Sequence, residues 1–191
     1  MYSKSKQTFY HVRDSLIKHR WLLIAELIWM IVCSFWTVSE QKKMYQFYHL
    51  SASTIDYVIA QQGALYSGMT IFPFVLFFVI RCKQDSLNVQ YILRYQSRKS
   101  MFQQQLKESL LYAVGIATII ILATTLIGWI FSRNLINWDT MESVYFGQTG
   151  SVVKSNFLSV AVVIWLMYVL KFMLLFTIVD LSLWYPKTLF F

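Results

Sequence analysis

The stretch LLYAVGIATIIILATTLIGWIF, Leu110 to Phe131, runs for 22 residues without a charge. In lipid every backbone N–H and C=O must be satisfied within the protein, so an apolar segment of roughly 20 residues folds as a helix that crosses about 30 Å of hydrocarbon. Leu110–Phe131 meets that length and exceeds what a buried helix of a soluble domain needs. It reads as a transmembrane helix.

The composition agrees. Of 191 residues, 57% are hydrophobic and 18% aromatic while only 14% are charged, which excludes an ordinary soluble domain and a disordered chain. Six Gly and two Pro exclude collagen, and two Cys exclude a disulfide scaffold. Three more apolar runs flank the first. Trp21 to Val38 carries one charge, Glu26; a second extends from about Ile59 to Ile80; another begins near Phe157 and is interrupted by Lys171 and Asp180. The expectation is an all-α integral membrane protein, a single polytopic domain over residues 1–191 with four transmembrane helices at about 21–38, 59–80, 110–131 and 157–179.

Lys and Arg are retained on the cytoplasmic side during insertion, so their distribution sets the orientation. Five precede the first span (Lys4, Lys6, Arg13, Lys18, Arg20) and six lie between the second and third (Arg81, Lys83, Arg94, Arg98, Lys99, Lys107). The other two connections hold two each, Lys42 with Lys43 and Arg133 with Lys154. Both termini are therefore expected in the cytoplasm. The net charge of +8 then reflects topology and attraction to anionic lipid, and no nucleic-acid partner is expected. Trp21, Trp36, Trp129, Trp184 and Tyr185 fall near span ends, as interfacial aromatics do. The long basic N-terminal region and the lack of a small-x-small cleavage site after Val38 argue that the first span is kept.

Residues 1–20 hold neither Gly nor Pro and set Phe9, Val12, Leu16 and Trp21 near helical spacing. They read as an amphipathic helix on the inner leaflet, against the alternative of a basic tail that only enforces orientation. Between the second and third spans, Leu87, Tyr91, Ile92 and Tyr95 share one helical face, with Asp85 as N-cap and Ser97 as a stop. Such a helix either floats at the interface or docks its aromatics and arginines on a soluble partner.

Motifs for chemistry fail on inspection. GALYSGMT, Gly63 to Thr70, has phosphate-loop spacing, but Met69 stands where the essential Lys belongs. Cys33 and Cys82 lie at different depths and read as packing residues, and His11, His19 and His49 are divided between the two sides. No G-x-S-x-G occurs, and S-x-x-K at Ser15 and Ser151 lacks companion motifs. No catalytic residue, metal site or cofactor is expected. Buried charge in a span costs roughly 3 kcal/mol or more and calls for a partner. Glu26 and Lys171 fall at similar inner depth and are a candidate intramembrane ion pair; the alternative has Lys171 snorkelling to the headgroups and Glu26 protonated or partnered elsewhere. Asp180 is expected at the interface. Thr118, Thr124 and Thr125 either line a path or bond to their own backbone.

The order of parts, together with STIDYVIAQQG (Ser53 to Gly63), Pro73 in IFPFVLFF and LRYQSRKSMF (Leu93 to Phe102), resembles an ABC-2 type permease, and more narrowly small permease subunits of Gram-positive bacteria. The resemblance covers about the first 130 residues. It implies a membrane-spanning subunit of an ATP-driven exporter in a bacterial plasma membrane, with residues 1–20 as an elbow helix and about 86–98 as a coupling helix. By the same resemblance Tyr91, Arg94, Tyr95, Ser97 and Arg98 contact a separate soluble ABC ATPase subunit. A second permease subunit, identical or different, would complete the path. Family members usually have about six spans, so the chain is either a shortened relative or part of a longer one. The competing reading is a non-transporting membrane partner, namely an immunity, sensor or assembly factor.

Overall fold

The computed structural model describes residues 4–86 and 98–188; within its helices the side chains of residues 4–9, His11, 64–66, 84–86, Arg98 and 183–188 are not described. Seven α-helices and one π-helix occur among the described residues, with no strand beyond an isolated bridge from Ser51 to Ser143. They are α1 (Lys4–Lys18), α2 (Arg20–Phe47), α3 (Thr54–Gln61), the π-helix (Ala64–Ile71), α4 (Phe72–Ser86), α5 (Arg98–Ser132), α6 (Val144–Thr149) and α7 (Phe157–Thr188).

Three of them, α2, α5 and α7, are long and apolar enough to cross a membrane. In each, only 33% of the most apolar 18-residue window is buried against protein. Ile24, Ile28, Ile31 and Phe35 on α2, Leu122, Leu126 and Ile130 on α5, and Leu166, Leu170 and Leu174 on α7 all point outward. A water-soluble fold does not leave so much contiguous apolar surface open. The protein is membrane-embedded. Trp21, Trp36 and Trp129 are likewise exposed, which suits interfacial anchoring.

The expected second span is not one helix. α3 ends at Gln61, Gly63 takes an extended conformation (φ −53, ψ 141), and the chain then winds as the π-helix into α4. Pro73 has no N–H to donate to the preceding turn, and the widened winding gives way to α-helix at its threshold. The helix boundaries also exceed the apolar runs. α2 continues through Glu40, Lys42 and Lys43 to Phe47, where a loop from about Ser39 was expected, because no Gly or Pro stops it. Residues 4–18 are helical, with Val12 and Ser15 buried and Arg13, Asp14 and Lys18 exposed.

The chain divides into two compact units. The first comprises residues 1–26, 74–116 and 169–191. Its interior holds Phe78 against Tyr112 edge to face at 6.4 Å, and Phe172 stacked on Phe176 at 5.8 Å. Ser15 of α1 donates to the Cys82 carbonyl at 3.4 Å, tying the N-terminal helix to α4.

The second comprises residues 27–73 and 117–168. Val38, Tyr45, Tyr57 and Val144 form a buried cluster there. α5 packs against α3 at Gly128, where an added Cβ would be in ordinary van der Waals contact with Thr54 and Tyr57 at 3.4 Å. Thr54 donates to the Asn134 carbonyl at 2.8 Å and pairs with the Ser132 hydroxyl at 3.0 Å, closing the same contact.

Candidate functional site

Helical spacing on α5 brings Gln105, Glu108, Ser109 and Tyr112 to one face, and all four are buried. In the same unit α4 contributes Lys83, 3% exposed, and α7 contributes Asp180, 4% exposed. Lys83 Nζ donates to Asp180 Oδ1 at 2.5 Å and to Ser109 Oγ at 2.5 Å. The Ser109 hydroxyl proton has two acceptors at 2.9 Å, Asp180 Oδ2 and the Gln105 carbonyl. Glu108 accepts from Gln104 at 3.3 Å and adds a second acid within electrostatic reach of Lys83. The lysine ammonium also faces the Phe176 ring at 5.8 Å.

A desolvated ion pair of this kind holds only while both partners and their hydrogen bonds stay in place, since losing one leaves a bare charge in low dielectric. It therefore joins α4, α5 and α7 in one discrete arrangement. Among the described residues no three His, Cys, Asp or Glu side chains group to hold a metal ion.

The sequence reading set Asp180 at the interface and looked to Lys171 for an intramembrane partner. On α7 the buried stripe is Phe172, Phe176, Val179 and Asp180, and Lys171 lies off that stripe and is exposed. Glu26 lies on the buried stripe of α2 with Met30, Cys33 and Thr37; it is 5% exposed and its Oε1 has no hydrogen-bond partner. Ion pairs seen in the structure include Lys83–Asp180, Arg13–Asp14 and Lys43–Glu40. Tyr91, Arg94, Tyr95 and Ser97 lie outside the described residues; Arg98 opens α5, its side chain undescribed. Cys33 and Cys82 are both buried and form no disulfide. Thr124 donates to the Ile120 carbonyl at 2.9 Å, the backbone bonding anticipated for threonine in a membrane helix, while Thr118 accepts from Trp165 at 3.0 Å.

Two polar features belong to the second unit. Asp56, buried at the start of α3, accepts from the Ser53 N–H at 2.8 Å, the Ser53 hydroxyl at 2.6 Å and Trp138 Nε1 at 2.9 Å. This is a capping interaction extended by an indole that itself stacks on Tyr145 at 4.7 Å. Burial, and then the neighbouring Asp56 charge, push the Tyr57 hydroxyl up to about 12, so it stays neutral. Where α3 ends, Gln61 is fully buried with neither amide atom bonded, at a cost of about 1–3 kcal/mol per stranded group. A cleft of about 380 Å³ beside Trp138, Asp139, Lys154 and Asn156 is wide open, and its charged groups are exposed.

Compared with known proteins, the chain matches no family model, no curated protein and no solved structure. The class defined by its own features is a helical membrane protein with a buried Lys–Ser–Asp cluster joining three helices.

Proposed function

We propose that the chain is a permease subunit of an ATP-driven exporter, with four membrane crossings, both termini in the cytoplasm of a bacterium, and a plasma-membrane location. The fourth crossing is the interrupted run that combines the end of α3, the π-helix and α4. Charge asymmetry supports the orientation, since residues 4–20 and 81–107 together carry 11 of the 17 Lys and Arg.

The observation that carries the reading is the Lys83–Ser109–Asp180 cluster. Lys83 stands just before the connection at residues 87–97, and Ser109 stands on the helix that follows it. A push on that connection by a soluble ATPase would thus be delivered to α4 and α5 together and handed to α7 through a link that does not stretch. Tyr91, Arg94, Tyr95, Ser97 and Arg98 are the proposed contacts for the ATPase, and a second permease subunit, identical or different, completes the path.

Affinity purification from the native host tests this. The wild-type chain should bring down a soluble ATPase, and the Tyr91→Ala/Arg94→Ala double variant should lose at least tenfold of it at equal membrane abundance, as expected when two anchor residues leave one interface. Recovery of a membrane partner in place of any ATPase would favour a non-transporting assembly, sensor or immunity role.

A further inference from the structure

We propose that the cleft between the loop after α5 and the segment leading into α7 binds a zwitterionic phospholipid headgroup, of which phosphoethanolamine is the fitting class. The proposal needs the protein to be membrane-embedded and uses nothing of the exporter reading.

The cleft lies wholly within the second unit and has room for a ligand. It holds about 380 Å³, with Ile136, Trp138 and Val153 as apolar wall and Asp139, Lys154 and Asn156 as polar lining. Its two sides are pinned. Val153 N–H donates to the Trp138 carbonyl at 3.0 Å, and the Trp138 indole is held by Asp56 at 2.9 Å and stacks on Tyr145 at 4.7 Å. A cleft fixed in this way loses little freedom when it is filled. Asp139 and Lys154 directly follow the two bonded residues, so adjoining segments carry opposite charges into one cleft. These charges do not neutralise each other: both are exposed, and among the described residues neither has an ion-pair partner.

The cleft also sits at the depth of headgroups. α5 ends at Ser132, shortly before Ile136, and α7 begins at Phe157, next to Asn156; both helices are long and apolar enough to cross a membrane. Asn156 Oδ1 caps α7 by accepting from the Leu158 N–H at 3.1 Å, which brings the positive end of that helix to the cleft. Leu158 itself is 68% exposed and offers apolar surface to an acyl chain.

The two charges select the ligand. Phosphoethanolamine carries a phosphate and a protonated amine a few bonds apart, so Lys154 donates to the first and the Asp139 carboxylate accepts from the second. A purely anionic headgroup would gain Lys154 and be repelled by Asp139, and a cation would meet the reverse. A quaternary ammonium has no N–H for Asp139. A soluble zwitterion would leave Leu158 uncovered.

The test titrates the full chain in detergent micelles with dioctanoyl phosphatidylethanolamine and with dioctanoyl phosphatidylglycerol, counting bound lipid by native mass spectrometry. The ethanolamine lipid should bind saturably and at least fivefold more tightly than the glycerol lipid. Asp139→Asn should erase that preference, and Lys154→Gln should weaken the ethanolamine lipid at least threefold. Both side chains are exposed, so the Tm of either variant should match wild type. Glycerophosphoethanolamine, which has no acyl chains, should bind at least tenfold more weakly than the lipid. Equal affinity of wild type for the two lipids, or a preference that survives Asp139→Asn, would overturn the proposal. Binding of glycerophosphoethanolamine as tight as that of the lipid would overturn it as well, by putting a soluble zwitterion in the lipid's place.

Discussion

Lys83→Met should destabilise the protein by about 3–5 kcal/mol, the penalty for leaving one member of a buried ion pair without its counter-charge. Asp180 is 4% exposed, and with Lys83 gone its carboxylate retains only the Ser109 hydroxyl. Asp180→Leu should cost a similar amount for the opposite reason. The double variant Lys83→Met/Asp180→Leu should recover at least half of the loss, since apolar groups of similar volume replace a buried pair at little net cost. Thermal unfolding of the four proteins in one detergent checks this. Additive losses in the double variant would show that the two residues act separately.

The second large effect is expected at Asp56. Its carboxylate collects two backbone or indole N–H donors and one hydroxyl, all at 2.6–2.9 Å. Asp56→Ala strands the Ser53 and Trp138 N–H groups in the interior and should cost about 2–5 kcal/mol, by the usual penalty for an unmade buried hydrogen bond. Trp138→Phe removes one of those donors along with its bond and should cost less. Combining the two should cost less than their sum, because the second change removes a group that the first had stranded. Unfolding curves decide it, and unchanged stability in Asp56→Ala would mean that the carboxylate is not what anchors α3.

The three long helices were legible because hydropathy is local: an uncharged run such as Leu110–Phe131 has one low-energy form in lipid whatever surrounds it. Helix ends were less so, since α2 runs on to Phe47 through residues whose propensity, not their hydropathy, decides the matter. The division of the second apolar run was hidden for another reason. Gly63 and Pro73 were visible, but nothing local says which glycine breaks a helix and which, like Gly128, sits inside one. Lys83 and Asp180 are 97 residues apart, and their pairing is a property of packing. The one usable signal was periodicity: Asp180 shares a face with Phe172 and Phe176, whereas Lys171 does not. A wheel drawn for that helix would have chosen Asp180 as the buried charge.

The account depends most on the cytosolic position of the connection between α4 and α5. Cys33 and Cys82 are buried, and replacing both with Ala gives a background for single-site labelling. In that background Arg94→Cys should resist a membrane-impermeant maleimide in intact cells and react once the membrane is opened, while Asp139→Cys in the loop between α5 and α6 should react from outside at once. Labelling of Arg94→Cys in intact cells would contradict the account, because an ATPase confined to the cytoplasm would never reach it.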